Sequence, residues 1–194
     1  MEPAINIALR AARKAGDLIA RAAERMDLVQ VEEKQKNDFV TNIDKASEKE
    51  VIYHLHKAWP HHNIVGEESG FIKGNESTDP DEYTWYIDPL DGTTNFVRGI
   101  PHFAVSIGCV KNGRLEYGVI FDPIREEEFT ATRGRGASLN GKRIRITDQA
   151  TFSGALIGTG IPYRADQQPF LRNYMQCTET LASNGSGIRR GCLL

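Results

Sequence analysis

The chain has 194 residues, with 24 Lys and Arg against 26 Asp and Glu for a formal charge of −2, and 40% of its residues are hydrophobic. Those figures describe a soluble globular chain with ample material for a buried core and exclude disorder. Basic residues are scattered rather than gathered, so no direct nucleic-acid signal is present, and no apolar run approaches the roughly 20 residues of a membrane helix.

The first 25 residues include Glu2, Arg10, Arg13, Lys14 and Asp17, which leaves no apolar signal-peptide core and predicts a cytoplasmic protein. The same segment places Ile5, Ala8, Leu9, Ala12, Gly16, Ile19 and Ala23 at spacings of three and four, the pattern of an amphipathic packing helix. A polar stretch, Glu32 to Asp38, precedes a second helical pattern carrying Ile52, Leu55 and Trp59, capped by Thr41 or Asp44 and stopped by Pro60. Beyond Ile64-Val65 and Glu67-Glu68, the stretch from Ser69 to Asp81 reads as a loop. Strands are predicted at 84–87, 104–110, 115–121 and 128–132 from their β-branched and aromatic content. Asn112-Gly113 and Asn140-Gly141 mark hairpin turns, which favours an antiparallel sheet. A further strand is expected within 154–160 and a helix over 166–182. Cys109, Cys177 and Cys192 have no C-x-x-C spacing, so reduced thiols are expected. His54, His56, His61 and His62 read as surface residues, since His54 and His56 face different sides of a helix.

Acidic residues stand at the ends of predicted strands: Glu67 and Glu68 after Ile64-Val65, then Asp88 and Asp91 after Trp85-Tyr86-Ile87. Pro89 fixes one backbone angle between the two aspartates, so both carboxylates and the Leu90 carbonyl can face one point. Oxygen donors without histidine or cysteine suit Mg²⁺ better than Zn²⁺. Gly92-Thr93-Thr94 follows with small residues whose backbone N–H groups can open a helix onto an anion. A turn and helix cap would use the same residue types, and Asp44 would equally serve as an N-cap. Arg133-Gly134-Arg135-Gly136 and Asp122-Pro123 read as turns, and Lys34 and Arg189-Arg190 as solvated cations.

The stretch Asp88-Pro89-Leu90-Asp91-Gly92-Thr93-Thr94-Asn95-Phe96 resembles the D-P-[LI]-D-G-T-x-N-F signature of the inositol monophosphatase family. Gly66-Glu67-Glu68-Ser69 resembles that family's G-E-E-S element, and Asp38 to Asp44 its D-x-V-T-x-x-D. The opening, Ala4 to Arg13, is similar to a bacterial branch of the family linked to transcription antitermination through protein partners. The resemblance implies a layered α/β fold, the αβαβα sugar-phosphatase sandwich with a mostly antiparallel first sheet. Residues 1–146 would form an N-terminal domain carrying the metal and phosphate site, and residues 147–194 part of a second α/β domain. It further implies two or more Mg²⁺ ions. Glu67, Asp88 and the Leu90 carbonyl would hold one, and Asp88 with Asp91 would help hold another. Asp44 and Thr93 would orient and deprotonate the attacking water, with Glu67 sharing that work. Leu90, Asp91, Gly92 and Thr93 would face the substrate, the N–H groups of Gly92 and Thr93 binding phosphate. Glu68 is expected beside the ligand set, capping or solvated.

After an element like Ile188-Arg189-Arg190, family members continue with a small-residue segment, a substrate-contacting Glu and a W-D whose Asp ligates metal. Here Gly191-Cys192-Leu193-Leu194 follows, which reads as a truncation and implies a weakened cation site and an incomplete second half. The expected activity is hydrolysis of inositol monophosphate or another small phosphate ester. Thr93-Thr94-Asn95-Phe96 departs from the D-G-T-K-x-F of nucleotide-type relatives and the D-G-S-S-N of bisphosphatases. The alternatives are a transcription-complex binding factor, acting as a homodimer or with other proteins, and a fragment with neither activity.

Overall fold

The computed structural model describes residues 2–35, 38–162 and 165–190; Cys192 and the end from 191 onward lie outside the described residues, as do the side chains of Lys34 and Arg190. Helix α1 (Pro3–Ala23) starts with proline at its first turn, where a missing N–H costs nothing. Its buried face, Ile5, Ala8, Leu9, Ala11, Ala12, Ala15, Gly16 and Ile19, is mostly small residues. That lets the helix approach the sheet closely: a Cβ at Gly16 would lie 2.5 Å from the Phe121 ring.

Helix α2 (Asn42–Ala58) begins at a capping box. The Thr41 hydroxyl oxygen accepts from the N–H groups of Ile43 and Asp44, and the Asp44 carboxylate accepts the Thr41 N–H at 2.8 Å. Both candidate caps therefore act together. Ahead of α2, strands β1 (Val31–Gln35) and β2 (Asp38–Thr41) form an antiparallel ribbon where a polar connection was expected. A two-stranded ribbon is held by backbone bonds, so its polar side chains gave no strand periodicity to read.

The strands β3 (Asn63–Gly66), β4 (Gly70–Ile72), β5 (Tyr83–Asp91), β6 (Ala104–Lys111), β7 (Arg114–Asp122), β8 (Glu127–Thr132), β9 (Gly136–Leu139) and β10 (Lys142–Ile144) build one sheet in the order β10-β9-β8-β7-β6-β5-β3-β4. All neighbours are antiparallel except β3 and β5. Strand β4 occupies part of the expected 69–81 loop, its three residues pairing along the edge of β3. Asn112 and Gly113, and Asn140 and Gly141, all adopt positive φ at the two predicted hairpins. Helices α1 and α2 pack on each other and on the sheet, α1 against β6, β7 and β8 and α2 against β5. The core between them includes Leu9, Ile19, Val51, Leu55, Ile64, Trp85, Leu90, Val105 and Ile107.

His62 belongs to this core, at 6% exposure, contrary to its expected place on the surface. Its Nδ1 accepts the Trp85 indole N–H at 2.9 Å, and its ring stacks on Trp59 and Tyr83. Further along the chain, β11 (Leu156–Thr159) pairs in parallel with β12 (Gly187–Arg190). The helix expected over 166–182 divides: a 3-10 turn, Ala165–Phe170, contains Pro169, and α4 (Leu171–Ser183) follows. Proline has no N–H to continue an α-helical ladder, which accounts for the division.

Candidate active site

The parallel pairing of β3 with β5 sets the geometry, because parallel strands end on the same side. Gly66 stands opposite Ile87, so the next residues, Glu67 and Asp88, leave the ladder side by side. The Glu67 N–H still donates to the Ile87 carbonyl at 3.1 Å. Glu67 is exposed and Asp88 half-buried. The charges of Glu67 and Asp91 both act on the Asp88 carboxyl.

Beyond Asp88 the β5–β6 register shifts before Asp91. Pro89 supplies no N–H to the ladder there, and the resulting bulge turns the strand toward α3 (Thr93–Val97). The Leu90 N–H donates to Asp88 Oδ1 at 3.2 Å, which fixes that carboxyl over the bulge. The Leu90 side chain lies in the core at 1% exposure while its carbonyl accepts the Thr93 hydroxyl at 2.9 Å. Gly92 caps α3 with φ 96°, a conformation that favours glycine, and a Cβ there would come within 3.0 Å of the His102 carbonyl. Asn95 Nδ2 donates to the same carbonyl at 2.8 Å and pins the turn.

Asp44 reaches this region from α2. Its Oδ1 stands 2.9 Å from the Thr93 hydroxyl, and its other oxygen accepts from Thr41. Burial pushes the Asp44 carboxyl above its ordinary pKa despite the bonds from Thr41 and Thr93 that favour the charged form. Asp88 is driven up to about 8, first by burial, then by the charges of Glu67 and Asp91. A carboxyl so raised lies in a field that would be relieved by positive charge.

Among the described residues no group of three or more His, Cys, Asp or Glu side chains stands as a finished metal cage. What the structure brings together is the Glu67–Asp88 pair with Asp91 electrostatically close, and Asp44 with Thr93 and Leu90. The chemistry of that donor set, carboxylate and carbonyl oxygen only, fits a hard divalent cation.

Two further residues of α2 hold the site and were missed from the sequence. The Ser47 hydroxyl donates to the Pro89 carbonyl at 2.9 Å, and the Glu48 carboxylate accepts the N–H groups of Glu68 and Ser69 at 2.8 and 2.9 Å. Asp44, Ser47 and Glu48 share a helix face with the buried Val51 and Leu55, and that spacing was the available signal. Glu68 thus lies beside the site with its backbone engaged. The 133–136 segment is a turn, with Gly134 and Gly136 at positive φ and Arg135 paired to Glu2 at 2.6 Å. Asp122 likewise closes a turn, accepting from the N–H groups of Ile124 and Arg125.

Residues 1–192 match the inositol monophosphatase family. The chain is 54% identical over 190 residues to the Nus factor SuhB of Pseudomonas aeruginosa, covering 98% of this chain and 69% of that protein. It is 48% identical over 190 residues to the Nus factor SuhB of Escherichia coli K12, with the same coverage. Among solved structures, the extragenic suppressor protein suhB of Bartonella henselae superimposes with a TM-score of 0.90 at 36% identity, over 99% of this chain and 71% of that one. The Thermotoga maritima IMPase gives 0.82 at 31% identity, over 99% and 69%. The chain belongs to the inositol monophosphatase family and has its layered mixed α/β fold.

Proposed function

We propose that this chain is a phosphomonoesterase dependent on Mg²⁺ that hydrolyses inositol monophosphate or a related polyol phosphate to the alcohol and inorganic phosphate. The observation that carries this reading is the β3–β5 register, which brings Glu67 beside Asp88 on the strand that leads into Thr93 and its partner Asp44. Glu67, Asp88 and the Leu90 carbonyl would hold one ion, and Asp88 with Asp91 part of a second. Mg²⁺ bound there would neutralise phosphoryl charge and acidify a water. The Thr93 oxygen would accept that water's proton while its own proton passes to Asp44 Oδ1, whose burial makes it a stronger base than an ordinary carboxylate. The N–H groups of Gly92 and Thr93, at the first turn of α3, would orient the phosphate. Residues 1–146 would carry this site and 147–194 belong to a second unit, in a cytoplasmic protein. Phosphate release from inositol monophosphate across a Mg²⁺ titration tests the reading: no release above that of Asp88→Asn overturns it.

A second reading is favoured by the 54% identity to a protein named as a Nus factor: the chain binds transcription-complex proteins, alone or as a homodimer, independently of turnover. Capture of transcription proteins by wild-type chain and by Asp91→Asn tests it. Equal capture by both supports this reading, and no capture by either removes it.

A further inference from the structure

Three residues on one face of α2 hold the two segments of the site. Asp44 meets Thr93, Ser47 meets the carbonyl of Pro89, and Glu48 meets the segment that carries Glu67. The first two touch the 88–93 segment. Glu48 alone among them reaches across to the end of β3.

Glu48 is 3% exposed, and each of its two carboxylate oxygens takes one backbone N–H, Oε2 from Glu68 and Oε1 from Ser69. A Cβ built on Gly66 would lie 2.5 Å from Glu48 Oε2. The carboxylate is therefore seated directly on the backbone just before Glu67, in space that only a glycine at 66 leaves open. On the opposite side, the Glu67 N–H is tied to the Ile87 carbonyl of β5. The backbone of Glu67 is thus bracketed between the sheet and the helix.

We propose that Glu48 is a positioning residue whose buried carboxylate clamps residues 66–69 and thereby fixes Glu67 against Asp88. This rests on the proposed function, since it assigns the clamp to a cation-binding pair. A carboxylate is required by the donor count. Two N–H groups converge on two acceptor oxygens, whereas a glutamine offers one acceptor and one NH₂, so one backbone N–H would face another donor. Side chains that orient a metal ligand by hydrogen bonding typically change metal affinity by about 10- to 100-fold when removed.

The test compares wild-type chain with Glu48→Gln and Glu48→Asp by amide hydrogen exchange at residues 68 and 69, Mn²⁺ affinity by calorimetry, and thermal melting. Expected for Glu48→Gln are faster exchange at both amides and about 10- to 100-fold weaker Mn²⁺ binding, with a cooperative melt retained. Glu48→Asp keeps the charge but is one methylene shorter, so it should protect one amide and bind Mn²⁺ with intermediate affinity. Exchange and affinity unchanged in Glu48→Gln overturn the proposal. Should Glu48→Gln not fold, wild-type values in Glu48→Asp overturn it, and intermediate values support it. If the wild-type chain binds no Mn²⁺, the metal-dependent reading is what fails. Exchange then decides the clamp: acceleration confined to 68 and 69 supports it, and no acceleration overturns it.

Discussion

The Thr93 hydroxyl oxygen lies 2.9 Å from Asp44 Oδ1 and 2.9 Å from the Leu90 carbonyl oxygen. A hydroxyl has one proton and cannot donate to both acceptors at once. When Thr93 donates to Asp44, the Leu90 carbonyl keeps its lone pairs for another partner. When Asp44 is protonated, it can donate to Thr93, which then donates to Leu90. The protonation of Asp44 and the availability of the Leu90 oxygen are therefore linked through a single side chain.

Replacing Asp44 by Asn should lower turnover by about 10²- to 10⁴-fold, the usual contribution of a positioned base. The Asn carbonyl can still accept the Thr41 N–H, so the N-cap of α2 is largely kept. Thr41→Ala removes the cap instead. It should cost about 0.5–2 kcal/mol of stability, read from urea denaturation, while leaving most of the turnover. Unchanged turnover in Asp44→Asn would show that Asp44 acts only as a cap.

Asp88 sits near a pKa of about 8 without a cation, so a cation binding there must displace its proton. Mg²⁺ affinity should rise with pH up to about 8 and level off above it, with proton release detectable in buffers of different ionisation enthalpy. Asp88→Asn should abolish both the release and the Mg²⁺-dependent turnover. A flat affinity from pH 6 to 9 would count against Asp88 as a ligand.

His62 should make folding stability sensitive to mild acid. Burial, with the neighbouring His61 charge, lowers its pKa from 6.5 to about 4. The unfolded chain therefore binds the proton first, and the contribution is fully present above pH 6.5 and lost as pH falls toward 4. Asp88 and Asp44, whose pKa values are raised, act in the opposite direction. The comparison is thus between wild-type and His62→Asn denaturation midpoints at pH 7.5 and pH 5. The stability difference between them should narrow at the lower pH, and a constant difference would contradict the assignment.

Gly16→Ala should destabilise the fold by about 1–3 kcal/mol, the usual range for overfilling a packed core. The added methyl would meet the Phe121 ring at 2.5 Å and Pro123 Cβ at 3.1 Å. Phe121→Leu in the same chain should recover part of the loss, as a double-mutant cycle would measure.

Much of this structure is legible in the sequence where one segment carries its own instruction. The apolar spacing of α1, the Asn-Gly turns and the run from Asp88 to Thr93 each act within a few residues. What escaped depends on partners far along the chain. Glu48, between Ser47 and Lys49, looks like an ordinary helix surface until Glu68 and Ser69, just beyond β3, supply two N–H groups. His62 looks solvated until Trp85, 23 residues later, offers its indole N–H. Strand β4 was invisible because its short edge pairing imposes no apolar alternation.

The pairing of Gly66 with Ile87 makes this site intolerant of changes in chain length at particular places. One residue inserted within 63–66 or 83–87 would slide a strand by a single pleat, turning every following side chain to the opposite face. Glu67 and Asp88 would then part, though neither had been altered. The connection at 73–82 lies outside both strands and can lengthen without disturbing that alignment. Insertions should therefore be fatal to function within the two paired strands and tolerated in the connection between them, a pattern that substitutions alone would never reveal.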